Sequence, residues 1–560
     1  MARAWWKEAV VYQVYPRSFM DSNGDGVGDI NGIREKLPYI RELGADAIWI
    51  CPVFDSPDAD NGYDIRDYQS IMPEFGTMDD FDDLLTEAHQ LGMKLIIDLV
   101  INHTSDEHPW FIESRAERNS GKRDWYIWHD GKDGSEPNNW ESIFGGSAWT
   151  YDEKTEQYYL HLFHEKQPDL NWENSDMRSA LYDMINWWLQ KGIDGFRVDA
   201  ISHIKKKEGL PDLPNPEGRP FVPSFAYHMN VEGIMALLQD VKENTFAGYP
   251  HIMTVGEANG VSAEEAEDWV GEPNGIFSMI FQFEHLGLWD IEGGEPDIPE
   301  LKRILSNWQS ALEGKGWNAL FIENHDQPRA VSVWGDDGKY RTVSAKALAA
   351  MYFLMKGTPF IYQGQEIGMT NAIFLDIDDY DDVSIKNYYR IQKEKGRSHE
   401  DIMKAVWKKS RDHARTPMQW TDRPNAGFTK GEPWLRMNEN YKLINVVHQQ
   451  HDPRSVYHFY KRLIAIRKRY DVFIGGSYKL LLAEDRQIFA YLRKLEEETA
   501  IVIVNLSARQ AFYHHPAYPL CSNGLLLSNL DINAHKHLTS FMMRPYEARV
   551  YLIRQEIGDL

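Results

Sequence analysis

Cysteine is scarce in this chain, because only Cys51 and Cys521 occur among 560 residues. Two thiols far apart in sequence cannot supply the disulfide framework of a small secreted domain, and they fit a reducing cytosol. An apolar run of about 18 residues, long enough to span a bilayer, is also absent. Lys7 and Glu8 interrupt the first apolar stretch, unlike the core of a signal peptide. We therefore expect a cytoplasmic protein that has no membrane partner.

Positive charge is in deficit as well. The chain has 60 basic against 85 acidic residues and a formal net charge of −25. Such a surface repels phosphate backbones, so we expect no nucleic acid partner. We separately expect the chain to act as a monomer or homodimer. The sequence contains no G-x-S-x-G elbow and no Walker-type phosphate loop, so it does not indicate acyl or phosphoryl transfer. Aromatic residues are abundant, with 19 Trp and 28 Tyr, which suits a large core and stacking on sugar rings.

Short β-rich runs alternate with helical patterns along most of the chain. Strands are predicted at residues 9–16, 45–50, 94–101, 195–200, 251–258, 276–283, 318–325 and 359–366. Helical periodicity follows residues 174–176, where Ser175 can cap, and lasts until Gly192. Eight strand and helix units predict an α/β fold, a closed (β/α)8 TIM barrel, with a doubly wound open sheet as the alternative.

Two long segments and a distinct C-terminal region depart from the repeat. About seventy residues after the third strand, rich in Trp, predict an inserted subdomain on the catalytic rim. Residues 370–410 form another insertion, with a helical pattern at 398–409. Alternating runs at 487–494, 499–505 and 548–554 predict an antiparallel β-sandwich. The predicted domains are a first segment of the catalytic barrel at residues 1–102, the inserted subdomain at 103–173, a second barrel segment at 174–477 and the C-terminal domain at 478–560.

Ionisable residues follow the predicted strands at the ends where a barrel builds its active site. These residues are Asp98, His103, Arg197, Asp199, Glu257, His325 and Asp326. Any one of them has an ordinary explanation as a cap or turn residue, but their convergence on one rim indicates a functional site. A zinc site made of His103, His325, Asp199 and Glu257 is a weaker alternative, because the histidines lack the usual ligand spacing.

Three acids around one pocket suit glycoside hydrolysis through an oxocarbenium-like transition state. Asp199, which should pair with Arg197, is expected to stay ionised and act as nucleophile. Glu257 follows an apolar strand and faces another carboxylate, so we expect a raised pKa and the role of proton donor. Asp326 would bind sugar hydroxyls or the charged transition state. His103 and His325 can donate hydrogen bonds to those hydroxyls.

The loop at residues 21–32, DSNGDGVGDING, has the start of a calcium-binding loop. Oxygen ligands alternate at Asp21, Asn23, Asp25 and Asp29, as a hard cation requires. The twelfth position, where an EF-hand carries a bidentate Glu, is Gly32. The missing Glu and the barrel context favour a structural ion, either Ca²⁺ or Mg²⁺, over a calcium sensor. An Asx-rich turn without an ion is the alternative.

Taken together, the motifs at residues 98–103, 195–200, 256–258 and 321–326 resemble those of the α-amylase family of glycoside hydrolases. The stretches 60–68, 167–174 and 411–420 are similar to the oligo-1,6-glucosidase and α-glucosidase branch, most of all to bacillar α-glucosidases of the maltase type. The resemblance covers essentially the whole chain. It implies a retaining, exo-acting enzyme with Asp199 as nucleophile, Glu257 as acid/base and Asp326 as transition-state stabiliser.

Further residues take a role only through this resemblance. Asp60 and Arg411 would bind the hydroxyls of the terminal glucose. Tyr63 would stack under that ring, and Phe144, Phe163 and Gln167 would close the pocket, although Tyr63 and Phe163 also suit a plain core position. Related α-glucosidases bind a divalent ion at the loop described above, which implies Asp21, Asn23, Asp25, the Val27 carbonyl and Asp29 as ligands. No organic cofactor is implied.

The residue after the nucleophile bears on the preferred linkage. The resemblance implies valine there in α-1,6-specific members and a smaller residue where α-1,4 bonds are accepted, and this chain has Ala200. We therefore expect release of α-glucose from maltose and short malto-oligosaccharides, with possible transglucosylation. An oligo-1,6-glucosidase is the alternative. A sucrose isomerase is more distant, because residues 327–337 lack an arginine-rich loop, and a non-catalytic sugar-binding protein is unexpected while all three acids are present.

Overall fold

A computed structural model describes residues 3–289, 296–535 and 537–554. Its centre is a ring of eight parallel strands, named β1 to β8 here. Their bounds are Val11–Val14, Ala47–Ile50, Lys94–Val100, Gly195–Asp199, Met253–Glu257, Met279–Phe281, Ala319–Leu320 and Thr358–Tyr362. Each one overlaps a segment that the sequence predicts as a strand, and each is shorter than predicted, most of all β7.

The strands pair in chain order. The hydrogen-bonded order is β6-β5-β4-β3-β2-β1-β8-β7, and every pair in it is parallel. The two ends of this order meet, since the rings of Phe281 on β6 and Phe321 beyond β7 lie 5.0 Å apart. A doubly wound sheet would instead stay open, with its two outermost strands far apart, whereas here β8 returns to pair with β1 and the two end strands of the order face each other. The TIM barrel is therefore confirmed, and the open-sheet alternative is wrong.

Helices follow the strands and cover the outside of the ring. The main ones are Ile30–Leu43, Met78–Gln90, Ser175–Lys191, Ile234–Asn244, Ala266–Val270, Ile298–Ala311, Arg341–Phe353 and Val456–Arg469. The third one begins differently from the sequence prediction: Asn174, and not Ser175, is the cap, because its side chain accepts from the Met177 backbone N–H. Gly192, at φ 101°, ends this helix as expected, because glycine adopts the left-handed conformation without a Cβ clash.

Side chains on each barrel strand alternate between two hydrophobic cores. Val11 and Trp49 point into the ring, where they belong to one buried cluster with Val255. Their neighbours Tyr12 and Ile48 belong to the cluster that packs against the helices. This alternation follows from the two-residue period of a strand. The ring is thus filled, and polar residues at its C-terminal end have a rigid floor.

The long segment after β3 folds into a small β-rich unit with its own apolar cluster of Trp140, Trp149, Leu160 and Leu162. Its regular elements are Pro109–Ser114, Trp128–His129, Trp140–Glu141, Trp149–Asp152 and Gln157–Leu160. The strand Trp140–Glu141 pairs with Val222–Pro223, from the segment after β4. The segments that follow β3 and β4 are thereby joined into one structure.

The insertion after β8 contains two helices, Val383–Glu394 and His399–Lys409. A separate buried cluster holds them together, and it includes Phe374, Tyr380, Ile402 and Val406. Ser398 caps the second helix by accepting from the Asp401 N–H, so the helix predicted at 398–409 is confirmed. A short helix, Asp412–Arg415, follows at once and brings the chain back to the barrel mouth.

The C-terminal region is antiparallel and two-layered. A five-stranded sheet has the order Ser477–Leu481, Ile488–Leu495, Glu498–Asn505, Ala548–Arg554 and Leu525–Ser528, and a second sheet pairs Ala511–His514 with Ser540–Met543. Ile501 from the first sheet and Tyr513 from the second share one apolar cluster. The opposite face of the large sheet, with Phe489 and Val502, joins the main core of the barrel. The predicted β-sandwich is confirmed.

Candidate active site

Strand ends bring the predicted acids to one mouth. Asp98 on β3 lies directly beside Arg197 on β4 in the strand register. Asp199 is the last residue of β4, and Glu257 is the last residue of β5. Because parallel strands end on the same side of a barrel, these groups converge without help from loops.

Arg197 is the centre of this group. It is 2 % exposed, and its Nη1 lies 2.8 Å from Asp98 Oδ1 and 2.5 Å from Asp199 Oδ1. Its Nη2 lies 2.8 Å from Glu257 Oε2. A guanidinium can do this because its N–H groups leave one plane in several fixed directions. One buried cation therefore holds three carboxylates at set positions around the mouth.

Burial and the Arg197 cation act in opposite directions on the protonation of Asp199. Burial, the largest effect, raises the pKa of Asp199 well above its usual range, the Glu257 carboxylate adds to it, and the Arg197 guanidinium opposes both. Arg197 favours the ionised carboxylate, as expected from the sequence, but burial and the neighbouring acids act against it, so the ionised nucleophile stays a prediction. Glu257 faces a second carboxylate, as expected, and it also contacts Arg197 and the Ala200 N–H.

Ala200 contributes through its backbone. Its N–H donates to Glu257 Oε2 over 2.9 Å. The residue has φ 44° and ψ 31°, the left-handed conformation that side-chain-bearing residues adopt at a cost. This turn directly after β4 points the amide at the acid on β5. Its methyl group is 6 % exposed.

Asp326 forms the opposite side of the mouth and is surrounded by cations. Its Oδ1 lies 2.6 Å from Arg415 Nη2 and 3.3 Å from Arg411 Nη1, and its Oδ2 lies 2.9 Å from His325 Nε2. Burial acts to raise the pKa of Asp326, but His325 and the two arginines outweigh it and hold that pKa well below its usual range. Asp326 is therefore an anion at neutral pH.

His325 is the charged partner of that anion. Burial alone would lower the pKa of His325, but the Asp326 carboxylate outweighs it and raises the pKa to about 10. The ring also contacts Tyr63 Oη at 2.6 Å and Gln13 Nε2 at 2.9 Å. An imidazolium donates from both nitrogens, so the amide orientation that matches it turns Gln13 Oε1 toward the ring. Both ring nitrogens of His325 therefore contact protein side chains, Nδ1 that of Gln13 and Nε2 those of Tyr63 and Asp326.

The predicted sugar-binding residues lie together beside the acids. Asp60 Oδ2 accepts from Gln167 Nε2 over 3.2 Å, and this amide also contacts His103 Nε2 at 3.1 Å. His103 is 1 % exposed, and burial lowers its pKa to about 3, so it is neutral. Tyr63 stacks on His325 with ring centroids 5.4 Å apart, and its hydroxyl donates to Asp98. Both His103 and Tyr63 are buried, so they support the side chains that line the sugar pocket.

Asp60 also offers a free acceptor. Its Oδ1 is buried and has no hydrogen-bond partner among the residues that the structure describes. Arg411 Nη2 lies 3.7 Å from this oxygen. A buried carboxylate oxygen that lacks a donor costs free energy, and a sugar hydroxyl would satisfy it. The pair is thus arranged as an acceptor and a donor for one hydroxyl group.

Aromatic side chains of the inserted subdomain close the wall. Phe144 lies edge-on to Phe163 with centroids 5.7 Å apart, and the Arg411 guanidinium lies 5.2 Å from the Phe144 ring. Phe163 also contacts His103 at 5.1 Å. All the predicted catalytic and sugar-binding residues therefore form one continuous site.

Three residues of the site were missed by sequence reasoning. Arg415 contacts Asp326, Asp382 contacts Arg411, and Gln13 contacts His325. The motif that contains Arg411 does hold a second arginine four residues later, and this helical spacing could have indicated Arg415. Gln13 comes from β1 and Asp382 from the insertion, and no local pattern marks either of them.

The loop after β1 uses its own oxygens as turn acceptors. Asp21 accepts the N–H groups of Asn23, Gly24 and Gly26. Asp29 accepts the Gly32 N–H and caps the first barrel helix. The donor set, made of carboxylates, an amide oxygen and the Val27 carbonyl, suits a hard cation in its chemistry.

Metal-binding clusters of at least three His, Cys, Asp or Glu do not occur in the described stretches of the chain, 3–289, 296–535 and 537–554. The zinc alternative for His103, His325, Asp199 and Glu257 therefore has no support. The calcium loop stays a prediction. The same described ranges contain no helix that is both long and apolar enough to cross a bilayer.

Comparison with known proteins gives matches over nearly the whole chain. The family model "Alpha amylase, catalytic domain" matches residues 13–476, and the model "Maltogenic Amylase, C-terminal domain" matches residues 478–550.

Curated relatives are similar along their full length. The chain is 69% identical over 553 residues to "Probable oligo-1,6-glucosidase 3" of Bacillus subtilis (strain 168), covering 99% of this chain and 100% of that protein. It is 52% identical over 564 residues to "Oligo-1,6-glucosidase" of Halalkalibacterium halodurans, covering 99% and 100%. The crystal structure of a trehalose-6-phosphate hydrolase of Bacillus licheniformis superposes with a TM-score of 0.93 at 44% identity, covering 99% and 100%. The maltose preference expected from Ala200 is not confirmed, since these names favour the α-1,6 alternative or related substrates. With its barrel, its three acids and these matches, the chain belongs to the α-amylase family of glycoside hydrolases.

Proposed function

We propose that this enzyme is a retaining, exo-acting α-glucosidase that prefers short α-1,6-linked glucosides of the isomaltose type. The observation that carries the proposal is the convergence of three acids on two buried guanidiniums: Asp199 and Glu257 contact Arg197, and Asp326 contacts Arg415. The relatives' names support the linkage. An oxocarbenium-like transition state needs this combination of an anionic surface and a proton donor.

Each acid has a distinct role in the proposed reaction. Asp199 attacks the anomeric carbon while Glu257 gives its proton to the departing oxygen, so a glucosyl ester forms and the glycosidic bond breaks. Glu257 then takes a proton from water, and the water oxygen displaces Asp199 with a second inversion. Asp326 stays anionic and stabilises the positive charge that develops on the ring.

The wall beside the acids supports the release of one glucose unit at a time. Asp60 and Arg411 offer an acceptor and a donor for a terminal hydroxyl, and Phe144 closes the space beside them. A sugar chain cannot continue through a wall of packed side chains. An acceptor sugar can enter from the open side in place of water, so the same site supports transglucosylation.

An α-1,4 preference is the second candidate, and Ala200 is the observation that favours it. A methyl group leaves more room for a differently angled leaving sugar than an isopropyl group does. Position 200 is also left-handed, a conformation that costs any residue with a Cβ about 1–2 kcal/mol and that a β-branched Val adopts less readily than Ala. The side chain and the strain therefore act together in any Ala200→Val variant.

The deciding experiment compares kcat/KM for isomaltose and maltose on the same enzyme preparation. We expect a higher value for isomaltose, and a higher value for maltose would establish the second candidate instead. Sucrose and trehalose 6-phosphate belong in the same panel, with products separated by linkage, since isomerisation would give a rearranged disaccharide and no net hydrolysis. An Ala200→Val variant should raise the ratio of isomaltose to maltose if the side chain tunes linkage, and Ala200→Gly is the control that relieves strain without adding bulk.

Three expectations accompany this proposal. A divalent ion, Ca²⁺ or Mg²⁺, is proposed at Asp21, Asn23, Asp25, Val27 and Asp29 as a structural ligand remote from the acids. The enzyme is proposed to act in the cytoplasm, and to do so as a monomer or homodimer. Gel filtration with light scattering measures the oligomeric state directly.

A further inference from the structure

The insertion after β8 places a buried carboxylate, Asp382, against the Arg411 side chain of the sugar pocket. Asp382 is 1 % exposed and lies at the start of the helix Val383–Glu394, where it caps the Ser384 N–H. Its two oxygens also receive the Arg411 side chain and backbone: Oδ1 accepts from Nε over 2.9 Å and lies 2.9 Å from Nη2, and Oδ2 accepts from the Arg411 N–H over 2.9 Å. Such paired contacts fix both the position and the plane of a guanidinium.

A second carboxylate fastens the same junction in the opposite direction. Asp412 Oδ2 accepts from the backbone N–H groups of Asp381 and Asp382 at 2.6 and 2.9 Å. Residues 381–382, just before the helix Val383–Glu394, and residues 411–412 are therefore joined by hydrogen bonds in both directions. Neither partner can shift alone without leaving buried charges unpaired, which is costly.

Arg411 has competing partners on the pocket side. Its Nη1 lies 3.3 Å from Asp326 Oδ1, and its Nη2 lies 3.7 Å from Asp60 Oδ1. Both distances are longer than the 2.9 Å contacts to Asp382. A guanidinium released from Asp382 would move toward these two acids. It would then donate to Asp60 Oδ1, the oxygen that is otherwise free to accept from a sugar hydroxyl.

We infer that Asp382 is a positioning residue for Arg411, which makes the insertion at 370–410 an element of the glucose-binding site. This inference rests on the proposed function only in that Arg411 must touch the substrate. Because a terminal-hydroxyl contact is made before and during the reaction, its loss raises KM more than it lowers kcat. A residue that served only to cap its helix would leave both constants unchanged.

The test is a double-mutant cycle with p-nitrophenyl α-glucoside and isomaltose. Asp382→Asn keeps a side-chain oxygen for the cap and removes the charge that holds Arg411. We expect a KM increase of roughly tenfold or more, the effect of one charged hydrogen bond, with a smaller change in kcat. Asp382→Asn should add little to an Arg411→Gln variant, because the group that it positions is already gone.

A matched control separates positioning from capping. Asp297 caps the helix Ile298–Ala311 by accepting the Glu300 N–H and lies on the outer layer of the barrel. Asp297→Asn should leave KM unchanged. An Asp382→Asn enzyme with wild-type KM, or one whose effect is fully additive with Arg411→Gln, overturns the inference while an active wild type keeps the proposed function. A wild type that releases no glucose from any α-glucoside overturns both.

Discussion

Arg415 offers the sharpest test of how the anion at the mouth is held. The residue is 1 % exposed, its Nη2 lies 2.6 Å from Asp326 Oδ1, and its Nε donates to the His325 carbonyl over 3.0 Å. In an Arg415→Met variant both contacts vanish while the apolar volume stays similar. Asp326 then keeps His325 and the more distant Arg411 as its only cationic neighbours among the residues that the structure describes.

The expected cost follows from that geometry. Removing one partner of a buried ion pair costs roughly 3–5 kcal/mol of stability. We expect a cost near the lower end of this range, because His325 and Arg411 still neutralise Asp326. Activity should fall about 100-fold, because a carboxylate that shifts by about 1 Å misplaces the charge that faces the transition state. Arg415→Lys keeps the charge but cannot fill both positions, so it should lie between the wild type and Arg415→Met.

The assay measures kcat on p-nitrophenyl α-glucoside and the unfolding temperature of the same samples. The control is Arg303→Met, which removes an exposed pair with Glu300, so it should change neither quantity appreciably. The reasoning is refuted if Arg415→Met melts with the wild type and keeps its kcat. In that event His325 and Arg411 alone hold Asp326, and the fully buried guanidinium has no role in the site.

Three further predictions concern the acid, the histidine and the loop. Glu257→Gln should slow hydrolysis by about 10²–10⁴-fold, and more on isomaltose than on p-nitrophenyl α-glucoside, whose leaving group needs less protonation; equal losses on both substrates would remove the proton-donor role. Because the pKa of His325 is raised from 6.5 to about 10, its contribution to stability is complete below pH 6.5 and is lost as the pH rises toward and through 10. A His325→Gln variant should lose this alkaline transition in a melting profile, and a profile identical to that of the wild type would contradict the charged imidazole. If the loop with Asp25 holds an ion, chelation should lower the melting temperature and added Ca²⁺ should restore it, whereas an unchanged value would leave a plain Asx-rich turn.

Much of the barrel and most of the site could be predicted because their signals are local. An apolar strand followed by an acid is visible in the sequence around Asp199 and Glu257, and parallel strands bring such ends together. The contacts of Asp382 and Gln13 could not be found in this way. They join segments of the chain that are remote in sequence, and only the folded path of the insertion decides that Asp382 meets Arg411.

Protonation was harder to predict than position. A neighbouring cation is visible in the sequence, since Arg197 stands two residues before Asp199, and it suggested an ionised nucleophile. The burial of Asp199 beside Asp98 and Glu257 acts in the opposite direction, and its size depends on how completely the mouth excludes water. Linkage preference is difficult to predict for a similar reason. The sequence shows the methyl group of Ala200, but the fit of the leaving sugar depends on all the residues around the open side of the site.

The amide at position 200 sets a limit on how this site can vary. Whatever side chain stands there, its N–H remains to donate to Glu257, so the methyl group can be exchanged while the acid keeps that partner. Proline is the exception, because it has no N–H and its ring fixes φ near −65°, far from the 44° of this turn. The backbone donor at position 200 is therefore fixed, whereas the side chain can change only within the strain that this left-handed turn imposes.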